Sequence, residues 1–300
     1  MGIPDLVGNT PMLELKSIAA STPGVKIMAK AEFCNPGGSV KDRAAKAMLS
    51  DGIRQGALTR ERGIIDATSG NTGISYAMLG AAMGYAVTLY MPANTGAIRK
   101  GIIRRYGASI VETDPLESSD GAYLAAAAEV EAHPERWFYP DQYNNPANPM
   151  AHYESTGPEI WRQTEGRVSH FITAMGTSGT FVGVSRRLKE YNPRVHCTAV
   201  QPDSPLHGIE GTKHMASTIR PGIFDESLVD AIMQVSTEQA YAMTRRLAVE
   251  EGILAGVSSG CNVRAALNLA ETLPPGSVVV TVFCDSGNRY IFDSFWGERQ

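Results

Sequence analysis

The sequence predicts an α/β protein of two lobes, each a twisted, mostly parallel sheet flanked by helices. Three observations predict it. Short β-rich runs alternate with helical stretches along the whole chain, which is the signature of parallel strands joined by crossover helices. The length of 300 residues suits one large or two medium domains. The Pro/Asn-rich stretch YPDQYNNPANP (139–149) breaks both periodicities between two such sets.

In the first set, RGIIDAT (62–68) reads as a buried strand and TGISYAMLGAAMG (72–84) as a helix. YAVTLYMP (85–92) is the next strand, AIRKGIIRRYGA (97–108) a helix ended by Gly107, and SIVET (109–113) a further strand. The second set begins with the strand HFITAM (170–175), the helix around 180–191 and the strand VHCTAV (195–200). It continues with a helix over 237–252, a turn at GVSSG (256–260), a helix over 262–273 and the strand SVVVTVFC (277–284). The boundaries expected are a smaller, mobile, substrate-binding lobe over 36–142 and a larger, cofactor-binding lobe over 143–300. Residues 1–35 are expected to add strands to the larger lobe.

Composition excludes several classes of function. The apolar fraction of 43% and charged fraction of 19% are those of a soluble globular protein. A net charge of −4 with no basic stripe argues against nucleic acid. No apolar run approaches a membrane span, and the N-terminus lacks the build of a signal peptide. Cys34, Cys197, Cys261 and Cys284 are widely spaced, so neither a disulfide framework nor a metal site is expected and reduced thiols in the cytoplasm fit best.

Four stretches carry chemistry. In NPGGSVKDR (35–43) the Pro-Gly-Gly turn leads to Ser39, a possible cap, and to Lys41 in the first helical turn. The helix dipole and partial burial both disfavour a charged ammonium there, and the neutral amine is what Schiff-base chemistry requires. A capped helix with a solvated lysine is the plainer alternative. ATSGNTG (67–73) crowds Thr68, Ser69, Asn71 and Thr72 around glycines at a strand-to-helix junction, where free N–H groups suit a carboxylate. GTSGT (176–180) makes a phosphate-sized nest at another helix start, without the GK[ST] ending of a Walker A loop or the GxGxxG of a dinucleotide site. GVSSG (256–260) adds a hydroxyl turn. Each alone could be a capping turn. Together they match a phosphorylated aldehyde cofactor, pyridoxal 5′-phosphate (PLP), with an amino acid beside it.

The four stretches, in this order and at these spacings, resemble the cysteine synthase (O-acetylserine sulfhydrylase) family of fold-type II PLP enzymes, whose fold is tryptophan synthase β-like. The resemblance runs from VGNTPMLEL to GNRY, and DQYNNPANPMAHYESTGPEIW (141–161) is most similar to the cysteine synthase B branch. It implies that Lys41 holds PLP as a Schiff base and acts as the general base. It implies that Asn71 bonds the 3′-oxygen, that Gly176, Thr177, Ser178, Gly179 and Thr180 hold the phosphate, and that Ser258 faces the pyridine nitrogen. Asp285 is the nearby carboxylate that could take that last place. Thr68, Ser69, Thr72 and Gln142 would hold the substrate carboxylate.

The implied reaction is β-replacement on an O-activated serine, O-acetylserine or O-phosphoserine. Sulfide or another sulfur donor would then give L-cysteine by way of an α-aminoacrylate. The family implies a homodimer with small-molecule partners. HGIEGTKHMASTIRPGIF (207–224) departs from the small, uncharged stretch of the plain O-acetylserine enzymes. Lys213 stands about where the O-phosphoserine branch carries a cation, so an anionic leaving group or sulfur donor is one expectation and a solvated basic loop the other. Competing functions are cystathionine β-synthase-like replacement on serine, serine/threonine dehydratase-type elimination, and a non-catalytic binding protein on the same fold.

Overall fold

A computed structural model describes residues 1–68 and 70–297 of the chain. Its strands are β1 (Met12–Glu14), β2 (Lys26–Ala31), β3 (Gly63–Ala67), β4 (Val87–Pro92), β5 (Ser109–Thr113), β6 (Trp137–Phe138), β7 (His170–Ala174), β8 (His196–Pro202), β9 (Ala231–Val235) and β10 (Val278–Phe283). The helices that flank them are α1 (Lys41–Arg54), α2 (Asn71–Met83), α3 (Ala97–Arg105), α4 (Ser118–Ala132), α5 (Ala147–Ala151), α6 (Gly157–Gln163), α7 (Gly179–Tyr191), α8 (Thr237–Glu250) and α9 (Val257–Ala270). The chain forms two compact units. One takes in Met1–Val7 and Asn35–Asn148, the other Gly8–Cys34 and the chain from Pro149 onward.

The first unit is built on a four-stranded parallel sheet in the order β5-β4-β3-β6. Ile64 and Ile65 of β3 are fully buried, as is Leu89 of β4, because crossover helices cover a parallel sheet and its central strands then carry apolar side chains on both faces. Met48 and Leu49 of α1, Ile74 and Leu79 of α2 and Ile103 of α3 join Ile64 and Leu89 in one core. Phe138 of β6 packs on Gly52, where a Cβ would lie 2.3 Å from its ring. A larger residue at position 52 would push α1 off the sheet.

The second unit has a six-stranded sheet in the order β1-β2-β10-β7-β8-β9. Only β1 runs antiparallel, to β2. Val279, Val280, Phe171 and Ile172 are 0% exposed, as expected for strands sandwiched between helices. One buried charge stands among them. Lys30 of β2 pairs with Glu159 of α6 at 2.6 Å, and its ammonium also donates to the carbonyl and hydroxyl of Thr10. An ion this deep is tolerated because its donors are satisfied; removing one partner would strand the other.

Several elements begin away from their expected positions. The helix expected over 262–273 is α9, which starts at Val257, so GVSSG forms its first turn rather than a turn ahead of it. Ser39 does not sit at the N-cap position of α1, which is Val40, although its hydroxyl accepts from the Lys41 N–H at 3.3 Å. Between α5 and α6 the residues His152–Thr156 form a π turn.

Candidate functional site

Open parallel sheets bind ligands outside the carboxyl ends of their strands, at the point where the strand order reverses. In the first unit the chain runs from β3 outward to β4 and β5, then returns to place β6 on the other side of β3. The switch point therefore lies between β3 and β6, and their ladder ends at Ile64↔Phe138. Beyond it, side chains replace the ladder. Gln142 donates Nε2–H to the Ala67 carbonyl at 2.7 Å, and its Oε1 accepts from the Thr72 hydroxyl at 2.8 Å. The Gln142 carbonyl accepts from Asn148 Nδ2 at 2.7 Å. The Thr68 hydroxyl oxygen accepts from the N–H groups of Gly70 and Gly73, at 3.0 and 3.1 Å. Thr68, Thr72 and Gln142 are thus drawn into one buried cluster at the start of α2. Ser69 lies outside the described residues.

Lys41 and Asn71 occupy matching places, each the first residue of a helix. A residue that sequence reasoning passed over ties the two helix starts together. The Asp42 carboxylate, fully buried, accepts from the Gly37 N–H at 2.6 Å, and its Oδ1 lies 2.5 Å from Ser75 Oγ. Ser75 Oγ is also 3.0 Å from the carbonyl of Asn71. Asp42 therefore fixes the Pro-Gly-Gly turn and the start of α2 from the position next to Lys41, and an acid in a first helical turn also suits the dipole.

A second overlooked acid, Asp66, is the next-to-last residue of β3, just before the Thr68 turn, and is 1% exposed. Its carboxyl accepts from the Ala67 N–H and from the Tyr76 hydroxyl, both at 2.8 Å. Burial pushes it up from the usual carboxylate range to about 7, against the pull of those hydrogen bonds. Burial likewise raises the phenols of Tyr76, Tyr139 and Tyr143 around it.

In the second unit the chain runs from β7 outward to β8 and β9, and β10 then joins on the other side of β7. The switch point lies between β10 and β7, which part after Val280↔Phe171 although each continues beside its other neighbour. Two side chains bridge the gap. Thr281 donates its hydroxyl to the Ile172 carbonyl at 2.7 Å. Asn262, fully buried on α9, accepts from the Ala174 N–H and donates to the Val282 carbonyl, each at 2.7 Å. Sequence reasoning placed Asn262 merely at a helix start.

GTSGT follows β7 at this opening. A Cβ on Gly176 would stand 2.3 Å from the Gly211 carbonyl oxygen, so only glycine lets the two main chains meet. Ser178 adopts a left-handed φ of 67° and leads into α7, whose first N–H groups have no intrahelical acceptor. Thr177 Oγ1 accepts from the Gly179 N–H at 3.4 Å, and Thr180 Oγ1 lies 3.3 Å from Nε2 of the buried His152.

Lys213 is brought to the same place. It is 5% exposed, its N–H donates to the Met175 carbonyl at 2.8 Å, and its ammonium reaches the Ile219 carbonyl at 3.3 Å. Lys213 is therefore no solvated lysine. Arg220, by contrast, pairs with Glu226 at the surface.

Ser258 is buried in the first turn of α9. The next hydroxyl, Ser259 Oγ, accepts from the Cys284 N–H at 2.9 Å, which joins α9 to the end of β10. Asp285 is turned toward Gly256, where a Cβ would lie 2.0 Å from Oδ1, and its Oδ2 accepts from the Tyr290 hydroxyl at 2.5 Å. Burial pushes the Cys261 thiol well up and that of Cys197 up to about 11, which makes both poor nucleophiles. Among the described residues no cluster of His, Cys, Asp or Glu could hold a metal ion, and no helix is long and apolar enough to cross a membrane.

Comparison with known proteins agrees with this layout. The family described as pyridoxal-phosphate dependent enzymes matches residues 3–285. A cysteine synthase of Aquifex aeolicus is 49% identical over 299 residues, 98% of this chain and 91% of that protein. Cysteine synthase B of Salmonella typhimurium is 42% identical over 293 residues, 98% of this chain and 95% of that protein. Among solved structures, a cysteine synthase from Entamoeba histolytica superposes with a TM-score of 0.93 at 33% identity, covering 99% of this chain and 91% of that one. The chain belongs to the cysteine synthase family of pyridoxal-phosphate dependent enzymes and has their fold-type II architecture.

Proposed function

We propose that the chain makes L-cysteine by replacing the β-substituent of an O-activated serine, O-acetylserine or O-phosphoserine, with sulfide or another sulfur donor. The observation that carries this is the pair of switch-point loops. One presents hydroxyls and an amide at the start of α2, and the other presents the first main-chain N–H groups of α7. These sit in a chain 49% identical to a cysteine synthase.

The residues present fit PLP. Gly176 lets the loop lie against the main chain at Gly211, and the first turn of α7 suits a phosphate dianion. Gly176, Thr177, Ser178, Gly179 and Thr180 hold that phosphate, with His152 steadying the Thr180 hydroxyl. Lys41 is the residue that bonds the cofactor's aldehyde carbon, Asn71 donates its side-chain amide to the 3′-oxygen, and Ser258 offers its hydroxyl to the pyridine nitrogen. That Asp285 Oδ2 is engaged by Tyr290 supports Ser258 rather than Asp285 at this nitrogen. A hydroxyl there does not force the ring nitrogen to stay protonated, which favours loss of a β-group over transamination. When bound, PLP supplies the conjugated ring that stabilises negative charge at the substrate α-carbon.

The protein's own groups do the rest. The substrate carboxylate is held by Thr68, Ser69, Thr72 and Gln142. Gln142 keeps a second amide hydrogen beyond the one given to Ala67, and Thr68 keeps its hydroxyl hydrogen while its oxygen orders the turn. With PLP and substrate bound, the Lys41 amine would be the base that takes the proton from the substrate α-carbon. Lys213, buried and bonded through its main-chain N–H to Met175 just before the phosphate loop, supports an anionic leaving group or sulfur donor. On composition and family resemblance the enzyme works in the cytoplasm as a homodimer.

The test is an absorbance titration of the PLP-loaded protein with O-acetylserine, O-phosphoserine and serine, followed by sulfide. The productive donor shifts the cofactor band, and sulfide restores it with release of cysteine. Release of pyruvate with no cysteine would turn the assignment to elimination.

A further inference from the structure

Asp66 has no part in the chemistry above, yet its carboxyl is bonded to the residue that leads into the first switch point and to α2. The Ala67 main-chain N–H and the Tyr76 hydroxyl donate to it. The Ala67 carbonyl in turn accepts from Gln142 Nε2. A run of hydrogen bonds therefore leads from Asp66 through Ala67 to Gln142 where the β3–β6 ladder has ended.

Both charge states of Asp66 can be satisfied in this setting. Tyr76 Oη lies 2.8 Å from Asp66 Oδ2 and 3.8 Å from Met48 Sδ. When the carboxyl takes a proton it can donate to Tyr76 Oη, and the phenol hydrogen can turn to the thioether.

The titratable groups acting on Asp66 come from each neighbouring element. Asp141, Tyr139 and Tyr143 lie on the segment after β6, Tyr76 on α2, and Tyr123 on α4 with Asp120 beside Tyr143. All are acids or phenols. On the far side of the turn the Arg99 side chain of α3 packs against Gly70.

We infer that Asp66 is a positioning residue that couples binding of the substrate α-carboxylate to uptake of one proton. The inference rests on Thr68, Thr72 and Gln142 being the carboxylate site. An anion bound there sits on residues bonded to Ala67, the immediate neighbour of Asp66. A second negative charge beside a buried carboxylate is repelled, so the bound state favours neutral Asp66. The proton comes from solvent and returns to it on release. Because burial already holds this carboxyl at about 7, both forms are populated near neutral pH and the coupling is felt there.

The test uses PLP-loaded protein and L-serine, which carries the α-carboxylate and amine without an activated leaving group. Binding is followed by the cofactor absorbance from about pH 6 to about pH 8.5, a range that spans the Asp66 titration, for wild type, Asp66→Asn, Tyr76→Phe and Gln142→Ala. Asp66→Asn has no proton to take up. The wild-type affinity relative to that variant should fall by at least about threefold across the range. Calorimetry in two buffers of different ionisation enthalpy should show proton uptake in wild type that Asp66→Asn lacks. Tyr76→Phe removes a donor to the carboxylate and should move the midpoint upward, which carries the test if Asp66→Asn does not fold. A pH-independent ratio with equal proton uptake, or an unmoved midpoint in Tyr76→Phe, overturns the assignment of Asp66. Wild-type binding in Gln142→Ala overturns the carboxylate site and the inference with it. Weak binding in that variant with an unaltered slope in Asp66→Asn overturns the inference alone.

Discussion

Replacing Asn262 with Ala is the sharpest perturbation of the second switch point. Its side chain makes two 2.7 Å hydrogen bonds to main-chain groups of β7 and β10 where these strands have parted. The change leaves the Ala174 N–H and the Val282 carbonyl without that partner, in a place where Asn262 and Val282 are 0% exposed. Each buried polar group so stranded costs about 1–3 kcal/mol. The better helix propensity of alanine returns about half a kcal/mol. A net loss of about 2–5 kcal/mol is expected, a large part of the roughly 5–15 kcal/mol that holds a typical domain together. Because Ala174 leads directly into GTSGT, the phosphate loop should shift and PLP affinity should drop by about tenfold or more, equivalent to about 1.4 kcal/mol. Urea unfolding followed by far-UV circular dichroism measures the first effect and titration of the apoprotein with PLP the second. Asn262→Asp, which keeps the acceptor for Ala174 but loses the donor to Val282, should also be destabilised. Stability within about 0.5 kcal/mol of wild type, the range of an inconsequential surface change, together with normal PLP affinity, would refute the bridging role.

Two further outcomes follow from the same structure. Lys213→Ala should lower kcat/KM for O-phosphoserine more than for O-acetylserine, by about tenfold or more in the ratio, because a buried ammonium is worth most to an anion; equal losses on both donors would remove any selective role. Burial pushes the Asp66 carboxyl up from its ordinary 3.8 to about 7 in the folded chain, so its neutral form favours folding. That contribution is complete below about pH 4 and is lost as pH rises through about 7, so the stability of wild type relative to Asp66→Asn should fall across this window and level off above it. A flat difference between the two proteins, measured by urea unfolding over that range, would contradict the burial of this carboxyl.

Much of the fold was legible because parallel strands and their crossover helices carry strong local signals. SIVET is β5 with the bounds the sequence predicts, and TGISYAMLGAAMG lies within one residue of α2 at each end. Elements whose composition contradicts their place were harder to see. KIMAKA has lysines at two of its six positions, and nothing local marks it as β2, a central strand, because the Glu159 that neutralises Lys30 lies 129 residues away along the chain. GVSSG looks like a turn because glycine and serine are poor helix formers, yet burial on every side of α9 overrides propensity and starts the helix at Val257.

The candidate site shows the same division. Motif chemistry pointed to Thr68 and Thr72 and the family resemblance added Gln142; the structure bonds Thr72 to Gln142 and Gln142 to Ala67, the residue before Thr68. Asp42, Asp66, His152 and Asn262 act on those motifs through contacts that no spacing encodes. A lone acid at the end of β3 or an asparagine within a helix carries no periodic signal. Their roles exist only once β3 and β6, or β7 and β10, have parted.

The most direct measurement is borohydride reduction of the PLP-saturated protein followed by proteolysis and mass spectrometry. Lys41 stands at the first residue of α1, next to the Asp42 that fixes its turn. The cofactor should be found on the peptide containing Lys41, and Lys41→Ala should lose both the adduct and cysteine formation. An adduct on another lysine, or none on a protein that still makes cysteine, would contradict the account at its centre.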